Sequence, residues 1–298
     1  MVRLLAEEAN EMIQCENLVK IYKTKDIEVM ALQGLDLAVQ KGELMAVIGK
    51  SGSGKSTFLN MLGGLDRPSA GSLLVDGKNL FKMSEKELVS YKKETLGFVW
   101  QNNARNLLPY LTARENIELP MFFGSISKKK ERSLEILEMI GMAHKKNNRL
   151  DQMSGGELQR IAIGVALANN PKILLADEPT GSVDVRTANY ILEVFKDLNK
   201  NLNLTIIIVT HDRMLSSKVK RVVSIQDGKI SSERLAKVDY IDNLGSIGSL
   251  EETQEEFLVL DKAGRLQLPK EIFHKIGVHD NKVKLEVQDN HIILSAKG

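Results

Sequence analysis

Residues 49–57 have side chains and a backbone suited to holding phosphate groups. The run consists of Gly49, Lys50, Ser51, Gly52, Ser53, Gly54, Lys55, Ser56 and Thr57. Glycines let backbone N–H groups turn inward around phosphate oxygens, the Lys55 ammonium can reach the terminal phosphates, and the Ser56 hydroxyl can hold Mg²⁺. The competing interpretation is a plain glycine-rich turn. An apolar strand before the run and a helix after it favour phosphate binding, because a helix N-terminus attracts anions.

A pair of acids, Asp177 and Glu178, follows the apolar run 173–176. A buried strand of this kind delivers the two carboxylates to the carboxyl edge of a parallel sheet, where α/β proteins bind ligands. There Asp177 could reach Mg²⁺ through water, and Glu178 could polarise a water that attacks a γ-phosphate. Taken alone, two acids after a strand are also typical of a helix cap.

A second glycine-containing run, Ser154, Gly155, Gly156 and Glu157, precedes the apolar helical stretch 161–168. It predicts another helix N-terminus able to bind an anion. By itself, the run is equally typical of an ordinary glycine-rich helix start. One chain would then carry two phosphate-binding devices.

The elements that position these motifs alternate in type. Strands are predicted at residues 12–22, 43–48, 73–75, 173–176 and 205–209, with a helix from Lys55 and a capped helix over 85–93. Residues from there to about 164 are expected to be mostly helical. Short, continuous apolar runs between helical stretches indicate buried parallel strands in an α/β domain.

In motif order, the chain resembles the ATP-binding cassette (ABC) ATPases over about residues 10–235. Three further residues match that family's pattern: Tyr22, Gln101 and His211. The resemblance implies a P-loop NTPase fold with a RecA-like core and a helical subdomain at about 88–165. It also implies that Tyr22 stacks on adenine and that Gln101 contacts Mg²⁺ and water. Taken singly, a tyrosine at a strand end or a histidine after a strand is more often a packing or surface residue.

The resemblance assigns roles to the other motif residues as well. Glu178 and His211 would be catalytic, with His211 sensing the γ-phosphate, and residues 49–57 would bind ATP. Ser56, Gln101 and Asp177 would hold Mg²⁺. Residues 154–157 and Asp184 would contact ATP bound by a second copy of the chain, so the resemblance implies a dimer.

Two segments, 106–120 and 176–181, resemble the lipoprotein-release and macrolide-exporter branch of the family. The implied function is ATP hydrolysis that drives an integral-membrane permease for efflux, lipoprotein or peptide export, or mechanical signalling. The chain departs from the usual family residues at Met153, Leu158 and the pair 182–183. These departures leave the residues of the chemistry intact, but they put the kinetics and the dimer affinity in question. The alternatives are an ABC protein acting on nucleic acid or ribosomes, and a DNA-binding regulatory ATPase.

Composition excludes several other classes of protein. Lys and Arg number 41 and Asp and Glu 39, so the formal net charge is +2, too balanced for a chain that coats nucleic acid. The single cysteine, Cys15, excludes a disulfide framework and suits a reducing cytosol. No apolar run approaches the ~18–20 residues that span a bilayer. We therefore expect a cytoplasmic chain, held at the inner face of the cell membrane by the permease.

The C-terminal residues 254–298 differ in character from the rest. A Gly-, Ser- and acid-rich stretch predicts a linker over about 236–253, and alternating apolar residues on either side of Asp289 predict a hairpin. The tail resembles an AbrB-like swapped-hairpin domain, a family whose members pair by strand exchange and often bind DNA. It carries seven basic and seven acidic side chains, which argues against DNA binding. We expect it to pair two copies of the chain, with an autoregulatory contact or DNA binding as alternatives.

Overall fold

The computed structural model describes residues 10–101, 106–237, 254–261, 263–268, 270–278, 283–289 and 291–296. The strands in these ranges are β1 (Glu11–Lys23), β2 (Glu28–Gln40), β3 (Leu44–Ile48), β4 (Ala70–Val75), β5 (Lys78–Asn79), β6 (Leu96–Val99), β7 (Ile173–Asp177), β8 (Thr205–Val209), β9 (Arg221–Gln226), β10 (Lys229–Ala236), β11 (Gln254–Leu258), β12 (Val283–Gln288) and β13 (His291–Ala296). The α-helices are α1 (Lys55–Leu62), α2 (Glu85–Glu94), α3 (Ala113–Glu118), α4 (Lys129–Met139), α5 (Gly155–Leu167), α6 (Val185–Leu202), α7 (Arg213–Ser216) and α8 (Lys270–Lys275). Short 3₁₀ turns lie at Leu119–Phe122, Ala143–Lys145 and Leu150–Gln152.

A seven-stranded sheet forms the centre of the molecule, in the order β11-β10-β9-β3-β8-β7-β6. The pairs β9–β3, β3–β8, β8–β7 and β7–β6 are parallel, and β10 and β11 are added antiparallel at one edge. Because β3, β7 and β8 run parallel, their carboxyl ends and the motifs that follow them meet at one edge of the sheet. This confirms the α/β core predicted from the sequence.

Both faces of the central sheet are covered, which explains the continuous apolar runs. In β8, Ile206 and Ile208 pack into a core shared with the helices α3 to α6. Ile207 and Val209 point the other way, into a core shared with α1 and the antiparallel strands. A strand buried on both faces has no polar alternation, as the sequence predicted for β7 and β8.

An antiparallel sheet, in the order β2-β1-β4-β5, covers one face of this core. The sequence predicted β1 and β4 but not the 13-residue β2, which pairs with β1 along its length. Only the second half of β2 alternates between buried and partly exposed residues, and its first residues are exposed. Apolar periodicity therefore gave little signal for this strand.

The stretch 94–164, expected to be mostly helical, contains the four-residue strand β6. It pairs in parallel with β7, from Leu96 opposite Ile173 to Val99 opposite Ala176. Gly97 permits close packing on α5, since a Cβ there would lie 2.4 Å from the carbonyl oxygen of Ala166. Tertiary packing sets this strand, and the expectation of helix is wrong there.

The C-terminal strands divide into two groups. Strand β11 extends the central sheet, pairing with β10 from Gln254 opposite Ala236 to Leu258 opposite Ser232. Strands β12 and β13 form the predicted antiparallel hairpin. Residues 238–253, which include most of the predicted linker, lie outside the described part of the chain. The division into domains at 235 and 254 stays a prediction.

Candidate functional site

The run 49–57 connects β3 to α1 and curls around the Lys55 side chain. The Lys55 ammonium is buried and donates to the carbonyl oxygens of Gly49, at 2.9 Å, and Lys50, at 3.0 Å. Lys50, Ser51, Gly52 and Ser56 are exposed at the surface of the loop. The loop thus holds the Lys55 ammonium beneath a surface that exposes small residues and the Lys50 side chain.

Glycine is required at both ends of this loop. A Cβ on Gly49 would lie 2.3 Å from the carbonyl oxygen of Ile225, and one on Gly54 would lie 2.6 Å from that of Ala31. Gly54 also has a φ of +105°, which side chains disfavour. These close approaches fix the path of the loop.

The N-terminus of α1 has no side-chain cap, unlike those of α2, α3, α5 and α6. Its N-cap is Gly54, and the first turn carries no acidic residue. By contrast, α2, α3 and α5 each begin with a reciprocal capping box. The Ser53 hydroxyl nearby is buried without a hydrogen-bond partner. An uncapped helix end, an ammonium and an unsatisfied hydroxyl together fit an anion such as the phosphates of ATP.

Glu178 and His211 contact each other at the carboxyl edge of the central sheet. The His211 Nδ1 lies 2.9 Å from Glu178 Oε1, and the His211 backbone N–H donates to Glu178 Oε2 over 3.3 Å. The Glu178 backbone N–H donates to the carbonyl oxygen of Val209 at 2.8 Å, which ties the ends of β7 and β8 together. Since β8 lies between β3 and β7, the pair is next to the strand that leads into the run 49–57.

The candidate metal ligands come from three elements. Asp177 is the last residue of β7 and is half-buried, and Ser56 is in the first turn of α1. Gln101 follows β6, and its Nε2 lies 4.0 Å from the place where a Cβ on Gly181 would stand, three residues beyond Glu178. Within the described residues, no group of three or more His, Cys, Asp or Glu side chains could hold a metal by itself. A few such ligands suit Mg²⁺, which keeps waters and binds substrate phosphates.

Ser154 and Glu157 form the capping box at the start of α5. The Glu157 N–H donates to Ser154 Oγ at 3.3 Å, and the Ser154 N–H donates to the Glu157 carboxylate at 2.8 Å. The backbone N–H of Ser154 lowers the pKa of Glu157, with help from the nearby charge of Lys145. Ser154 and Gly155 are exposed, so this helix end is open to solvent.

Asp184 lies beside this run, because the N-terminus of α6 packs on that of α5. A Cβ on Gly156 would lie 2.2 Å from Thr187 Cγ2. Thr187 is held in turn by Asp184, which accepts from its backbone N–H at 3.0 Å and from its hydroxyl at 2.6 Å. The structure therefore brings together 154–157 and Asp184, as two adjacent helix starts.

Tyr22 lies at the end of β1 with its ring about half exposed. Its hydroxyl donates to Asp66 Oδ2 at 2.7 Å, and the Lys20 ammonium is 4.8 Å from the ring centroid. Burial and the Asp66 hydrogen bond raise the pKa of Tyr22, while a hydrogen bond with Thr57 connects it to the start of α1. An exposed ring beside the phosphate-binding run is suitably placed to stack on a base.

One contact of the phosphate-binding run was not predicted from the sequence. The turn between β9 and β10 donates from the Gly228 N–H to the Ser53 carbonyl oxygen at 3.0 Å. The sequence could have predicted this turn, because Asp227-Gly228 between two alternating apolar runs is typical of a tight hairpin turn.

Comparisons with known proteins agree with this site and fold. A model of the family described as ABC transporter matches residues 32–181. The lipoprotein-releasing system ATP-binding protein LolD of Pseudoalteromonas translucida is 41% identical over 221 residues, covering 74% of this chain and 94% of LolD. An uncharacterized ABC transporter ATP-binding protein of Thermotoga maritima is 42% identical over 225 residues, covering 75% of this chain and 95% of its own.

Solved structures extend the comparison. The ATP-binding cassette MJ0796, in a dimeric post-hydrolysis state bound to ADP and Pi, matches with a TM-score of 0.68 and 38% identity, covering 74% of this chain and 97% of MJ0796. CbiO1 of Clostridium perfringens, part of the ABC transporter complex cbiONQ, matches with a TM-score of 0.67 and 27% identity, covering 74% and 87%.

The chain therefore belongs to the ABC transporter family. It is an ATP-hydrolysing cassette, the nucleotide-binding subunit of a membrane transporter, and it works with ATP and Mg²⁺. Within the described ranges, we find no helix with the length and apolar character needed to cross a bilayer.

Proposed function

We propose that residues 49–57, Asp177, Glu178, Gln101 and His211 form one half of an ATP-hydrolysing site. The observation that carries this proposal is the Glu178–His211 contact at the sheet edge next to the strand that leads into residues 49–57. A carboxylate fixed by an imidazole and a backbone N–H, beside an uncapped helix end and a buried ammonium, is suited to in-line attack on a phosphate.

In the proposed reaction, the ammonium of Lys55 and the N–H groups of the loop hold the β- and γ-phosphates. Ser56, Gln101 and Asp177 would hold Mg²⁺, which would supply positive charge that offsets the negative charge on the phosphates. Glu178 accepts a proton from a water whose oxygen attacks the γ-phosphorus, and the bond to the β-phosphate oxygen breaks to release ADP. His211 holds the Glu178 carboxylate in its orientation.

The second half of the site comes from another copy of the chain. Residues 154–157, of which Ser154 and Gly155 are exposed, lie beside Asp184, because Gly156 packs against Thr187 and Asp184 holds Thr187. A helix N-terminus that is exposed at Ser154 and Gly155 is suited to the γ-phosphate of ATP bound by a partner. Two copies would thus enclose two ATP molecules, and the dimeric state of the relative MJ0796 supports this.

An integral-membrane permease is the proposed partner of the dimer, which would lie at the inner face of the cell membrane. The likeness to LolD supports the lipoprotein-release and macrolide-exporter branch. Specificity for cargo would then reside in the permease. Residues 1–235 would form the cassette, with a helical subdomain at about 88–165, a linker at 236–253 and an AbrB-like module at 254–298.

Replacing the catalytic carboxylate tests the proposal. Glu178→Gln should bind ATP with wild-type affinity and hydrolyse it at least about 100-fold more slowly, because the amide cannot accept the proton. Combined with removal of residues 279–298, the same change should make ATP-dependent dimer accumulate in light scattering. Glu193→Gln, which removes only an exposed ion pair with Lys196, is the matched control and should keep its turnover. Near-wild-type turnover in pure Glu178→Gln would show that another group is the base.

A further inference from the structure

The turn at Asp227 and Gly228 contacts the phosphate-binding loop through a backbone hydrogen bond and close packing. The Gly228 N–H donates to the Ser53 carbonyl oxygen at 3.0 Å, and the Gln33 N–H donates to the Gly228 carbonyl oxygen at 2.9 Å. The Gly228 Cα also stands 3.6 Å from the place where a Cβ on Gly54 would lie. The position of this turn therefore influences the backbone of the loop at Ser53 and Gly54.

The backbone angles and the close packing restrict the conformation of this turn. Asp227 and Gly228 have φ values of +50° and +73°, as a two-residue hairpin turn requires. A Cβ on Gly228 would lie 2.7 Å from the carbonyl oxygen of Ala31. The backbone at Gly228 is packed between β2 and the loop, and only the Asp227 side chain is exposed.

The C-terminal tail contacts the same turn from outside the cassette. Gln267 Nε2 donates to Asp227 Oδ2 at 3.3 Å, and the Lys229 ammonium lies 3.8 Å from Asp261 Oδ2. A cleft of about 270 Å³ lies between these tail residues and β2, bordered by Gln33 and Asp36. The tail and the turn thus meet through specific polar contacts.

Asp261 gives the docked part of the tail a defined shape. Its carboxylate accepts from the backbone N–H groups of Ala263 and Arg265, at 3.0 and 2.9 Å, and pairs with the Arg265 guanidinium at 2.7 Å. Leu260 and Leu266 form an antiparallel bridge that closes this loop. A closed loop of this kind presents Gln267 to the turn in one orientation.

The docked loop is anchored through β11. The Gln254 side chain is 4% exposed and donates to the carbonyl oxygen of Val219 at 3.1 Å, and that of Ser217 at 3.4 Å. Ser232 donates to the Glu256 carboxylate at 2.8 Å across the β10–β11 pair. These amide N–H bonds and the β10–β11 pairing hold the segment on the cassette, although the Gln254 Oε1 is buried without a hydrogen-bond partner in the described part of the chain.

We propose that the tail segment 254–267 positions the phosphate-binding loop, with Gln267 as the positioning residue that acts through Asp227 and Gly228. The chain of contacts runs from Gln267 to the Asp227 carboxylate, and from the Gly228 N–H to the Ser53 carbonyl oxygen. The tail thereby sets ATP affinity without touching ATP. This inference rests on the proposed role of residues 49–57.

The test uses a charge swap in the full-length protein. Gln267→Glu places a carboxylate against Asp227 and should raise the Kd for ATP about three- to fivefold, the change that corresponds to roughly 1 kcal/mol or less for an exposed charge pair. The turnover number at saturating ATP should stay within about twofold. Adding Asp227→Asn, which tolerates the same positive φ and can donate to the new carboxylate, should restore the wild-type Kd.

Two controls separate the possible outcomes. Gln288→Glu makes the same change on the hairpin formed by β12 and β13, here called the distal hairpin, and should leave the Kd for ATP unaltered. Lys55→Ala should abolish most of the affinity, and if it does not, the role of the loop itself is wrong. If Lys55→Ala weakens binding but Gln267→Glu lowers only the melting temperature, or is not rescued by Asp227→Asn, the tail is a stabilising element alone and this inference is overturned.

Discussion

Glu178 combines a backbone conformation that side chains disfavour with a carboxylate fixed by two donors. Its φ of +47° lies in the left-handed region, which costs a non-glycine residue of order 1 kcal/mol or more. The neighbouring contacts to His211 and Val209 hold it there. Such a conformation persists only where the surroundings determine it, as occurs at functional sites.

Under the proposed function, Lys55 binds the ATP of its own chain, whereas Ser154 contacts the ATP bound by the partner copy. Lys55→Ala should weaken ATP binding by the isolated monomer about 10- to 100-fold, because a charge-assisted bond to phosphate contributes about 1.5–3 kcal/mol. Ser154→Arg should leave the affinity of the monomer unchanged and abolish hydrolysis, since it blocks the partner's site. Equilibrium binding of a fluorescent ATP analogue to dilute protein makes the comparison. Equal losses of monomer affinity would refute the shared site.

At the scale of elements, the helix starts fall into two kinds. Helix α3 begins with a reciprocal box in which Glu115 accepts from the Thr112 backbone N–H and hydroxyl, each at 2.8 Å. Helix α1 has no such group. Under the proposed function, the end of α1 at Gly54 is thus suited to a ligand, whereas the end of α3 is satisfied by its own side chains.

The capping box of α3 makes stability depend on pH in a defined direction. The bond from the Thr112 backbone N–H, then that from its hydroxyl, lowers the pKa of Glu115. Because the folded pKa is the lower one, the stabilisation is complete above the ordinary glutamate pKa of about 4.3 and is lost as pH falls through the folded value. Glu115→Gln should therefore lower stability to urea at pH 7, and by less at pH 4. A constant difference between the two pH values would contradict this account.

Thr112→Ala tests the other half of the same box. Loss of an N-cap hydroxyl costs about 1 kcal/mol, so the melting temperature should fall by roughly 2–4 °C. Lys128→Ala, at an N-cap position that makes no side-chain capping bond, is the matched control and should change it less. An unaltered melting temperature in Thr112→Ala would show that the box adds nothing at this helix.

Elements buried on both faces were the ones that the sequence predicted well. Residues 173–176 of β7 and 206–209 of β8 are apolar because a packed layer covers each face of the sheet. By contrast, β6 is set by pairing with β7, which is distant in the chain, and the early part of β2 pairs with the neighbouring β1 through exposed residues, so neither shows a local apolar period. Motif spacing predicted the residues of the proposed site, yet the contact between Glu178 and His211 and the hydrogen bond from Gly228 to Ser53 depend on sheet order, which was not predicted.

At the scale of the whole molecule, one apolar face of the β12–β13 hairpin is largely exposed among the described residues. Val283, Leu285 and Val287 stand opposite Ala296, Leu294 and Ile292, so one face of the hairpin is apolar throughout. Leu285 is 61% and Ile292 71% exposed. An isolated two-stranded hairpin is marginally stable in water, and a second layer would stabilise it.

We propose that a second copy of the hairpin supplies this layer and tethers two cassettes when no nucleotide is bound. The tail as a whole is charge-neutral, so two copies would not repel each other, and DNA would gain little from it. Joining the cassettes through their tails raises their effective concentration and favours closure around ATP.

Removing residues 279–298 should therefore shift the nucleotide-free protein from dimer toward monomer in light scattering. The segment 254–267 stays in place in this variant, so folding and ATP affinity should be retained. Leu285→Asp, on the apolar face, should have the same effect at full length, because it would bury a carboxylate without a partner. Gln288→Lys, on the opposite face, is the matched control and should remain dimeric. An unchanged dimer in Leu285→Asp would refute the tether, and salt-sensitive DNA binding that is lost with residues 279–298 would identify DNA as the hairpin's partner instead.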